Sequence, residues 1–173
     1  MKNIALIGFM GSGKSTIAKL LAEKLNYRLI EADNDIIRLS EYSSINEIFE
    51  NRGEEHFREL EKIAISDAVK ATGQVISCGG GVVTSAETME ILKKNATVVF
   101  LHADFKTIIE RLNNTVTRPL FRDTEKAILL YANRLPKYKK YADMEIITDH
   151  SSPTDITAAI IQRLSHSGKP SGK

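Results

Sequence analysis

The sequence lacks the features that mark secreted, membrane-bound or nucleic-acid-binding proteins. Its single cysteine, Cys78, excludes a disulfide within the chain. It has no apolar run long enough to span a bilayer, and it opens on a strand pattern that leaves no room for a signal peptide. A net charge of +2 gives no strong field to attract nucleic acid or a membrane surface. We therefore expect a cytoplasmic, monomeric enzyme without nucleic-acid or membrane partners.

The chain also lacks metal-ligand spacing and internal repeats. Its four histidines are scattered, so none is assigned to a metal. Hydrophobic residues make up 42% and charged residues 27% of the chain, as in soluble globular proteins. A length of 173 residues fits one domain, which we place at residues 1–164. Residues 165–173 have the composition of a linker, and we predict a disordered tail there.

Short β-like runs alternate with helical patterns along the chain. The first predicted helix has Ile17 and Leu21 on one apolar face, and a longer helix is expected from residue 54 to about residue 71. Ser152 and Pro153 suit the N-cap and first position of the last helix. The alternation predicts a three-layer α/β fold, with a five-stranded parallel sheet, helices on both faces and ligands at the carboxyl ends of the strands. The strand candidates are residues 3–8, 28–31, 74–77, 97–102 and 144–147.

Residues 8–15 fit the pattern G-x-x-x-x-G-K-[ST] and stand between an apolar run and a helical pattern. This is the strand–loop–helix setting that a phosphate-binding loop requires. Its glycines let backbone N–H groups converge on phosphate oxygens, and the helix presents its positive end to the same anion. Lys14 is expected to reach the β- and γ-phosphates, and the Ser15 hydroxyl to ligate Mg²⁺. The sequence therefore predicts binding of a nucleoside triphosphate.

Acidic residues follow the second predicted strand. Residues two apart in an extended segment face the same way, so we expect Glu31 and Asp33 to project together near the γ-phosphate. One would hold Mg²⁺, directly or through water, and the other would accept a proton from an attacking hydroxyl. The alternative is a solvated turn or a helix N-cap at Asp33 or Asp35. The phosphate loop upstream favours the functional interpretation.

Three consecutive glycines, Gly79 to Gly81, follow the third predicted strand. They indicate a backbone that approaches a ligand closely or has positive φ, and the plainer alternative is a tight turn. Cys78, beside them, is interpreted as a small buried residue, because no basic neighbour in the sequence would activate its thiol.

Three arginines each have two interpretations. Arg58 and Arg134 fit solvated helix faces, but if both point into an acceptor site they could bind a carboxylate with bidentate geometry. Residues 113–123 interrupt the helical pattern with a polar segment that contains Arg118. A small-molecule kinase must exclude water, so this segment is either a mobile lid whose arginine stabilises phosphoryl charge or an ordinary surface loop.

Taken together, these motifs resemble the shikimate kinase family over roughly residues 1–163. Their order and spacing are specific, although no motif after the phosphate loop is decisive alone. The similar segments are residues 7–16 for the phosphate loop, 45–49 with 53–54 and 57–58 for acceptor binding, 79–81 for the glycine motif, 118–120 for the lid, and Arg134 with Tyr138, Ala142 and Asp143 for the helix after the lid.

The resemblance implies transfer of the γ-phosphate of ATP to the 3-hydroxyl of shikimate, with Mg²⁺ as cofactor. It implies that Asp33 is the base, that Arg58 and Arg134 grip the shikimate carboxylate, that Arg118 closes over the phosphates and that Arg111 lies beside the adenine. The implied sets are Lys14, Asp33 and Arg118 for catalysis; Gly11, Ser12, Gly13, Lys14, Ser15, Thr16, Arg111 and Arg118 for ATP; Asp33, Arg58, Gly79, Gly80, Gly81 and Arg134 for shikimate; and Ser15 with Glu31 for the metal.

One position departs from the family pattern, which has Asp-x-Asp at the second strand tip. The spacing from Lys14 places Glu31 and Asp33 there, because the alternative register of Asp33 and Asp35 lies two residues too far from the phosphate loop. Glutamate is one methylene longer than aspartate. A water-mediated contact with Mg²⁺ tolerates that length better than direct ligation.

Two other functions fit parts of the pattern. One is another small-molecule kinase of this fold, such as a gluconate or nucleoside monophosphate kinase. The other is a nucleotide-binding module without transferase activity. Arg58 and Arg134 around a glycine-rich segment suit a small carboxylate better than a sugar or a base, and the acidic strand tip with the lid arginine disfavours a non-catalytic module.

Overall fold

A five-stranded sheet forms the centre of the structure, a computed structural model that describes residues 2–113 and 124–167. The strands are β1 (Asn3–Ile7), β2 (Arg28–Glu31), β3 (Gln74–Ser77), β4 (Ala96–His102) and β5 (Met144–Ile147). Their order is β2-β3-β1-β4-β5, and every neighbouring pair is parallel. The predicted strands are confirmed to within one residue at each end.

Seven helices connect and cover the strands within the described residues. Each strand is followed by helical chain, which is the alternation that the sequence predicts. They are α1 (Lys14–Leu25), α2 (Ala32–Leu39), α3 (Ile45–Ala68), α4 (Ala86–Asn95), α5 (Phe105–Asn113), α6 (Thr124–Tyr141) and α7 (Pro153–Ser167), with a short 3-10 turn at Val82–Thr84.

Alternate residues of β1 face opposite sides of the sheet. Ala5 and Ile7 pack in a core with side chains of α3, α4 and α6, whereas Ile4 and Leu6 pack with α1 and α7. All five residues of β1 are buried, as expected for a central parallel strand covered on both faces. The three-layer α/β fold is therefore confirmed.

Helix α3 bends at Gly53, whose φ of 79° and ψ of 177° are not helical. The left-handed φ strains any residue with a side chain, so glycine permits the bend here. The second half of α3 corresponds to the helix predicted from residue 54, although it ends at Ala68 and not near residue 71. The first half was not predicted; it begins after Ser44, whose Oγ accepts the Glu47 N–H at 3.2 Å.

A separate hydrophobic cluster joins α2 to α3. It lies apart from the two cores that flank the sheet, and it holds the second half of α3 against α2. We call it the α2–α3 cluster, and its buried members are Ile36, Ile48, Phe57, Leu60 and Ala64.

Helix α7 begins as the sequence predicts. Ser152 Oγ accepts the Asp155 N–H at 3.1 Å, and Pro153 is the first helical residue. The helix continues to Ser167, so the prediction of a disordered tail from residue 165 is wrong for its first three residues. The rest of that predicted tail lies outside the described residues. None of the described helices combines the length and the apolar character that crossing a membrane requires.

Candidate active site

The loop between β1 and α1 has the backbone that phosphate binding requires. Gly13 lies in the left-handed region at φ 95°, immediately before α1. Because α1 begins at Lys14, the N–H groups of its first turn point towards the loop. Lys14 Nζ donates to the carbonyl oxygens of Gly8, at 2.8 Å, and Phe9, at 3.0 Å. These two hydrogen bonds hold the Lys14 ammonium group close to the loop backbone.

Two neighbouring clefts open at the carboxyl ends of the strands. The phosphate cleft, of about 410 Å³, is lined by the phosphate loop and the end of β2. The acceptor cleft, of about 600 Å³, is lined by parts of α3, α6 and the glycine segment 79–81. Met10, Asp33, Gly79 and Gly80 line both clefts. Molecules in the two clefts would therefore touch one common wall.

Of the eight residues predicted to bind ATP, Arg118 lies outside the described residues, and the other seven gather at the phosphate cleft with one exception. Ser12 is not among the lining residues; it is 2% exposed, and its Oγ has no hydrogen-bond partner within the described residues. Six of the predicted residues do line the cleft, namely Gly11, Gly13, Lys14, Ser15, Thr16 and Arg111.

Arg111 connects α5 to the segment that follows β5. Its Nη2 donates to Thr148 O at 2.6 Å, and its Nη1 donates to Thr148 Oγ1 at 3.2 Å and to Gly11 O at 3.4 Å. These bonds fix the guanidinium at the edge of the phosphate cleft. Its predicted place beside an adenine ring stays a prediction.

Two oxygen donors meet where the sequence predicts a metal. Ser15 Oγ donates to Glu31 Oε2 at 3.3 Å, although the two residues lie on α1 and at the end of β2. Mg²⁺ takes oxygen ligands and keeps several of its waters. A hydroxyl and a carboxylate beside a phosphate loop therefore fit this ion. Within residues 2–113 and 124–167, no group of three or more His, Cys, Asp or Glu side chains could hold a metal alone.

The backbone that carries Asp33 differs from the prediction of an extended segment, which is wrong. β2 ends at Glu31, and α2 begins at Ala32 without a connecting loop. Glu31 is the N-cap residue, and Asp33 lies in the first turn, where its charge suits the positive end of the helix. Both side chains still line the phosphate cleft. Asp35 instead forms an ion pair with Arg38 and is not among the residues that line either cleft.

Two carboxylates of its own helix hold Arg58 at the acceptor cleft. Its Nη1 donates to Glu61 Oε2 at 2.7 Å, while Nη2 and Nε donate to Glu54 Oε1 at 3.2 and 3.4 Å. The side chain is 16% exposed, so it does not lie on a solvated helix face. These bonds use three of the five N–H donors of the guanidinium, which leaves two for a ligand.

Arg134 enters the same cleft from α6. Its Nη1 would lie 3.8 Å from a Cβ placed on Gly80. Its Nε is buried and has no hydrogen-bond partner within the described residues. A buried donor without an acceptor is costly, which points to a ligand that supplies one. Arg58 and Arg134 thus converge on one cleft, as binding of a carboxylate requires.

The glycine segment lies close to these charges because it has no side chains. A Cβ on Gly81 would overlap the Arg58 guanidinium, and one on Gly79 would lie 3.0 Å from Asp33 Oδ1. None of the three glycines has positive φ. Glycine therefore occupies these positions because a side chain would not fit, and not because the backbone conformation requires it. Their N–H groups donate to no acceptor within the described residues. The segment therefore offers unpaired donors beside the acceptor cleft.

Comparison with known proteins decides the family. A family model described as shikimate kinase matches residues 10–165. The shikimate kinase of Caldicellulosiruptor saccharolyticus is 47% identical over 156 residues, which cover 88% of this chain and 90% of that protein. The chain belongs to the shikimate kinase family. It is therefore an ATP-dependent kinase that acts on a hydroxyl of shikimate.

Other members of the shikimate kinase family agree over almost the whole chain. The shikimate kinase of a Sulfurihydrogenibium species is 41% identical over 165 residues, which cover 95% of this chain and 98% of that protein. A crystallised shikimate kinase from Acinetobacter baumannii, in complex with shikimate, has a TM-score of 0.89 at 30% identity. That match covers 98% of this chain and 96% of the other. The fold of this chain is thus that of shikimate kinases.

Glu61 lies in the acceptor cleft of this shikimate kinase, although the sequence did not lead us to predict a role for it. Its side chain is 1% exposed. Oε2 accepts from Arg58, and Oε1 has no partner within the described residues. Burial raises the pKa of Glu61, and the nearby Arg58 charge only partly offsets this. The sequence feature that could have indicated a role for Glu61 is its position as a charged residue between Leu60 and Ala64 on the apolar face of α3.

Replacing Glu61 by glutamine should flatten the pH dependence of stability. Because burial raises the pKa of Glu61 above its ordinary value of 4.5, the unfolded chain releases this proton first as the pH rises. The contribution of Glu61 is therefore fully present below 4.5, and it is lost as the pH rises towards the folded-state pKa. Denaturant unfolding from about pH 4 to pH 8 should show a smaller fall in unfolding free energy for Glu61→Gln than for the wild type.

Glu59→Gln is the matched control, since Glu59 lies on the same helix and its side chain is 67% exposed. It should follow the wild-type curve. If Glu61→Gln also follows that curve, burial of the charge does not affect stability in the way described.

Cys78 is buried, as predicted, at 2% exposure. Burial raises the pKa of its thiol, so the reactive thiolate does not form near neutral pH. We assign Cys78 a packing role behind the glycine segment.

The predicted lid, residues 113–123, lies outside the described residues except for residue 113 at the end of α5. Arg118 belongs to that segment. Its role over the phosphates stays a prediction from the family resemblance.

Proposed function

We propose that ATP binds in the phosphate cleft and shikimate in the acceptor cleft, so that the γ-phosphate passes to the shikimate 3-hydroxyl. The shared wall carries this proposal, because Asp33 and three other residues line both clefts. Phosphoryl transfer requires the attacking and leaving oxygens to lie roughly in line through one phosphorus atom. Adjoining clefts allow the two substrates to be held in that arrangement.

The charges of the acceptor cleft suit the carboxylate of shikimate. Arg58 retains two N–H donors, and the Arg134 Nε has no acceptor within the described residues. Paired N–H donors of an arginine match the two oxygens of a carboxylate. We assign the carboxylate to these arginines and to the unpaired N–H groups of Gly79, Gly80 and Gly81, which orients the ring with its 3-hydroxyl towards Asp33.

Asp33 is assigned as the general base. As the 3-hydroxyl oxygen bonds to the γ-phosphorus, the bond from that phosphorus to the bridging oxygen of ADP breaks. The hydroxyl proton passes to the Asp33 carboxylate, which lies on the shared wall. Shikimate 3-phosphate and ADP are the products, and the chain forms no covalent bond to either substrate.

Ser15 and Glu31 are assigned to hold Mg²⁺, with Glu31 acting directly or through water. When bound, the cation neutralises charge on the β- and γ-phosphate oxygens. The contact between Ser15 Oγ and Glu31 Oε2 supports this assignment, because it places two oxygen donors beside the phosphate loop. Lys14 adds a positive charge from the loop itself.

We also propose that residues 1–164 act as one domain and as a monomer in the cytoplasm, where ATP is available. The residues assigned to both substrates come from one chain. Both clefts are built from its own strands and helices.

A coupled assay of ADP release tests the function. Mg²⁺ and ATP are supplied with shikimate, gluconate or AMP, or with no acceptor. We expect stimulation by shikimate alone and its loss when a chelator removes the metal. ADP release that shikimate does not stimulate would contradict the assigned acceptor, and stimulation by gluconate or AMP would identify another one.

A further inference from the structure

Tyr138 is fully buried, yet its hydroxyl reaches the glycine segment. It lies on α6, one turn after Arg134, and is 0% exposed. Its Oη donates to the Gly80 carbonyl oxygen at 2.5 Å, across 58 residues of sequence. Tyr138 is not among the residues that line the acceptor cleft, so it is not placed to touch a substrate. The bond instead attaches α6 to one wall of the cleft.

An aromatic stack fixes the ring of Tyr138. Phe100, on β4, stacks on it with ring centroids 5.1 Å and planes 17° apart, and His102 stacks on Phe100 at 5.0 Å. The stack limits the directions that the hydroxyl can take. Burial raises the pKa of Tyr138, so its hydroxyl keeps its proton and remains a donor.

Arg134 lies near the same hydroxyl. The spacing of four residues places Arg134 and Tyr138 on one face of α6, and the positive charge of Arg134 acts against the burial that raises the pKa of Tyr138. Because the Tyr138 proton is directed at Gly80, the guanidinium faces a hydroxyl oxygen whose lone pairs can accept from it. One buried hydroxyl thus lies beside two groups of the acceptor cleft that come from distant parts of the chain.

We propose that Tyr138 is a positioning residue for shikimate, holding Arg134 and the peptide between Gly80 and Gly81 in the orientation that receives the carboxylate. In a trans peptide the C=O and N–H groups point in opposite directions, so fixing the Gly80 oxygen also fixes the Gly81 N–H. The inference rests on the proposed function, since it requires Arg134 and the glycine segment to bind shikimate.

Tyr138→Phe tests the proposal, because it removes the hydroxyl and keeps the buried ring. We expect KM for shikimate to rise about tenfold, as for one missing buried hydrogen bond, while KM for ATP changes less than about twofold. Tyr141→Phe is the matched control. Tyr141 lies on the same helix, and its hydroxyl makes no hydrogen bond within the described residues. Removing that hydroxyl should leave both KM values unchanged.

The unfolding temperature of each variant is measured alongside, because a purely structural role would lower it without separating the two KM values. An unchanged KM for shikimate in folded Tyr138→Phe would overturn the proposal, as would equal rises in both KM values. If Tyr138→Phe does not fold, Phe100→Leu replaces it. That variant loosens the ring but keeps the hydroxyl, and it should raise KM for shikimate about threefold; no rise would overturn the proposal.

Arg134→Ala belongs in the same series, because it separates two kinds of failure. If Arg134→Ala leaves KM for shikimate unchanged, the assigned shikimate site is wrong, and the role of Tyr138 is wrong with it. If Arg134→Ala raises that KM and Tyr138→Phe does not, the site stands and only the role of Tyr138 is overturned.

Discussion

Replacing Lys14 by alanine is expected to lower kcat about 10²- to 10³-fold, the usual effect of removing one stabilising group from developing negative charge. Lys14 lines the phosphate cleft with Ser15 and Glu31. Residues 8–13, which precede it in the loop, carry no positive charge. In the proposed function its ammonium group supplies the positive charge of the phosphate loop to the γ-phosphate, and alanine removes that share of the stabilisation.

Steady-state kinetics with both substrates saturating measures this effect. Lys24→Ala is the matched control, since Lys24 is exposed in the last turn of the same helix and should leave kcat unchanged. Because Lys14 also donates to two loop carbonyl oxygens, the unfolding temperature is compared for both variants. A folded Lys14→Ala that keeps more than about a tenth of wild-type kcat would contradict the assigned role.

Arg134→Ala should raise KM for shikimate about 10²-fold and leave KM for ATP nearly unchanged. The expected size reflects the removal of one of two cationic side chains, after which Arg58 and the glycine N–H groups of the proposed site are left to bind the shikimate carboxylate. Arg134 lines the acceptor cleft and is not among the residues that line the phosphate cleft, so the two KM values should separate.

Kinetics at varied shikimate and fixed ATP, and then the reverse, checks this prediction. Lys137→Ala serves as control, because Lys137 is exposed on the same helix and should leave both KM values unchanged. Arg134→Lys keeps the positive charge but loses the planar guanidinium, so we expect KM for shikimate to rise by less than it does in Arg134→Ala. Equal rises in both KM values for Arg134→Ala would show that the arginine does not distinguish the two substrates.

Local features of the fold could be predicted because neighbouring residues determine them. β2, β3 and β5 have the predicted bounds, since each is a short run with at least two apolar residues. β3 is buried throughout, whereas β2 and β5 are the edge strands and are only partly buried. The phosphate loop has the predicted strand and helix on either side of it. Each of these signals lies within about ten residues of sequence, which is the range over which hydrophobic patterns and turn residues act.

The features that could not be predicted depend on distant contacts or on the end of an element. Ala32 begins a helix directly after β2, whereas Asp33 and Asp35, the two residues considered as its N-cap, lie within the first turn of that helix. Glu61 is a site residue because α3 buries it opposite the glycine segment, which its own neighbours in the sequence do not reveal. The bond between Tyr138 and Gly80 spans 58 residues, so only the folded chain shows it.

The α2–α3 cluster gives one wall of the acceptor cleft a core of its own. Phe57 belongs to that cluster and Arg58 follows it directly, whereas the phosphate loop is supported by the two cores that flank the sheet. Side chains on this wall can therefore change without repacking the layers beneath the phosphate loop. The opposite wall lacks that independence, because Tyr138, which bonds to Gly80, belongs to a core that flanks the sheet.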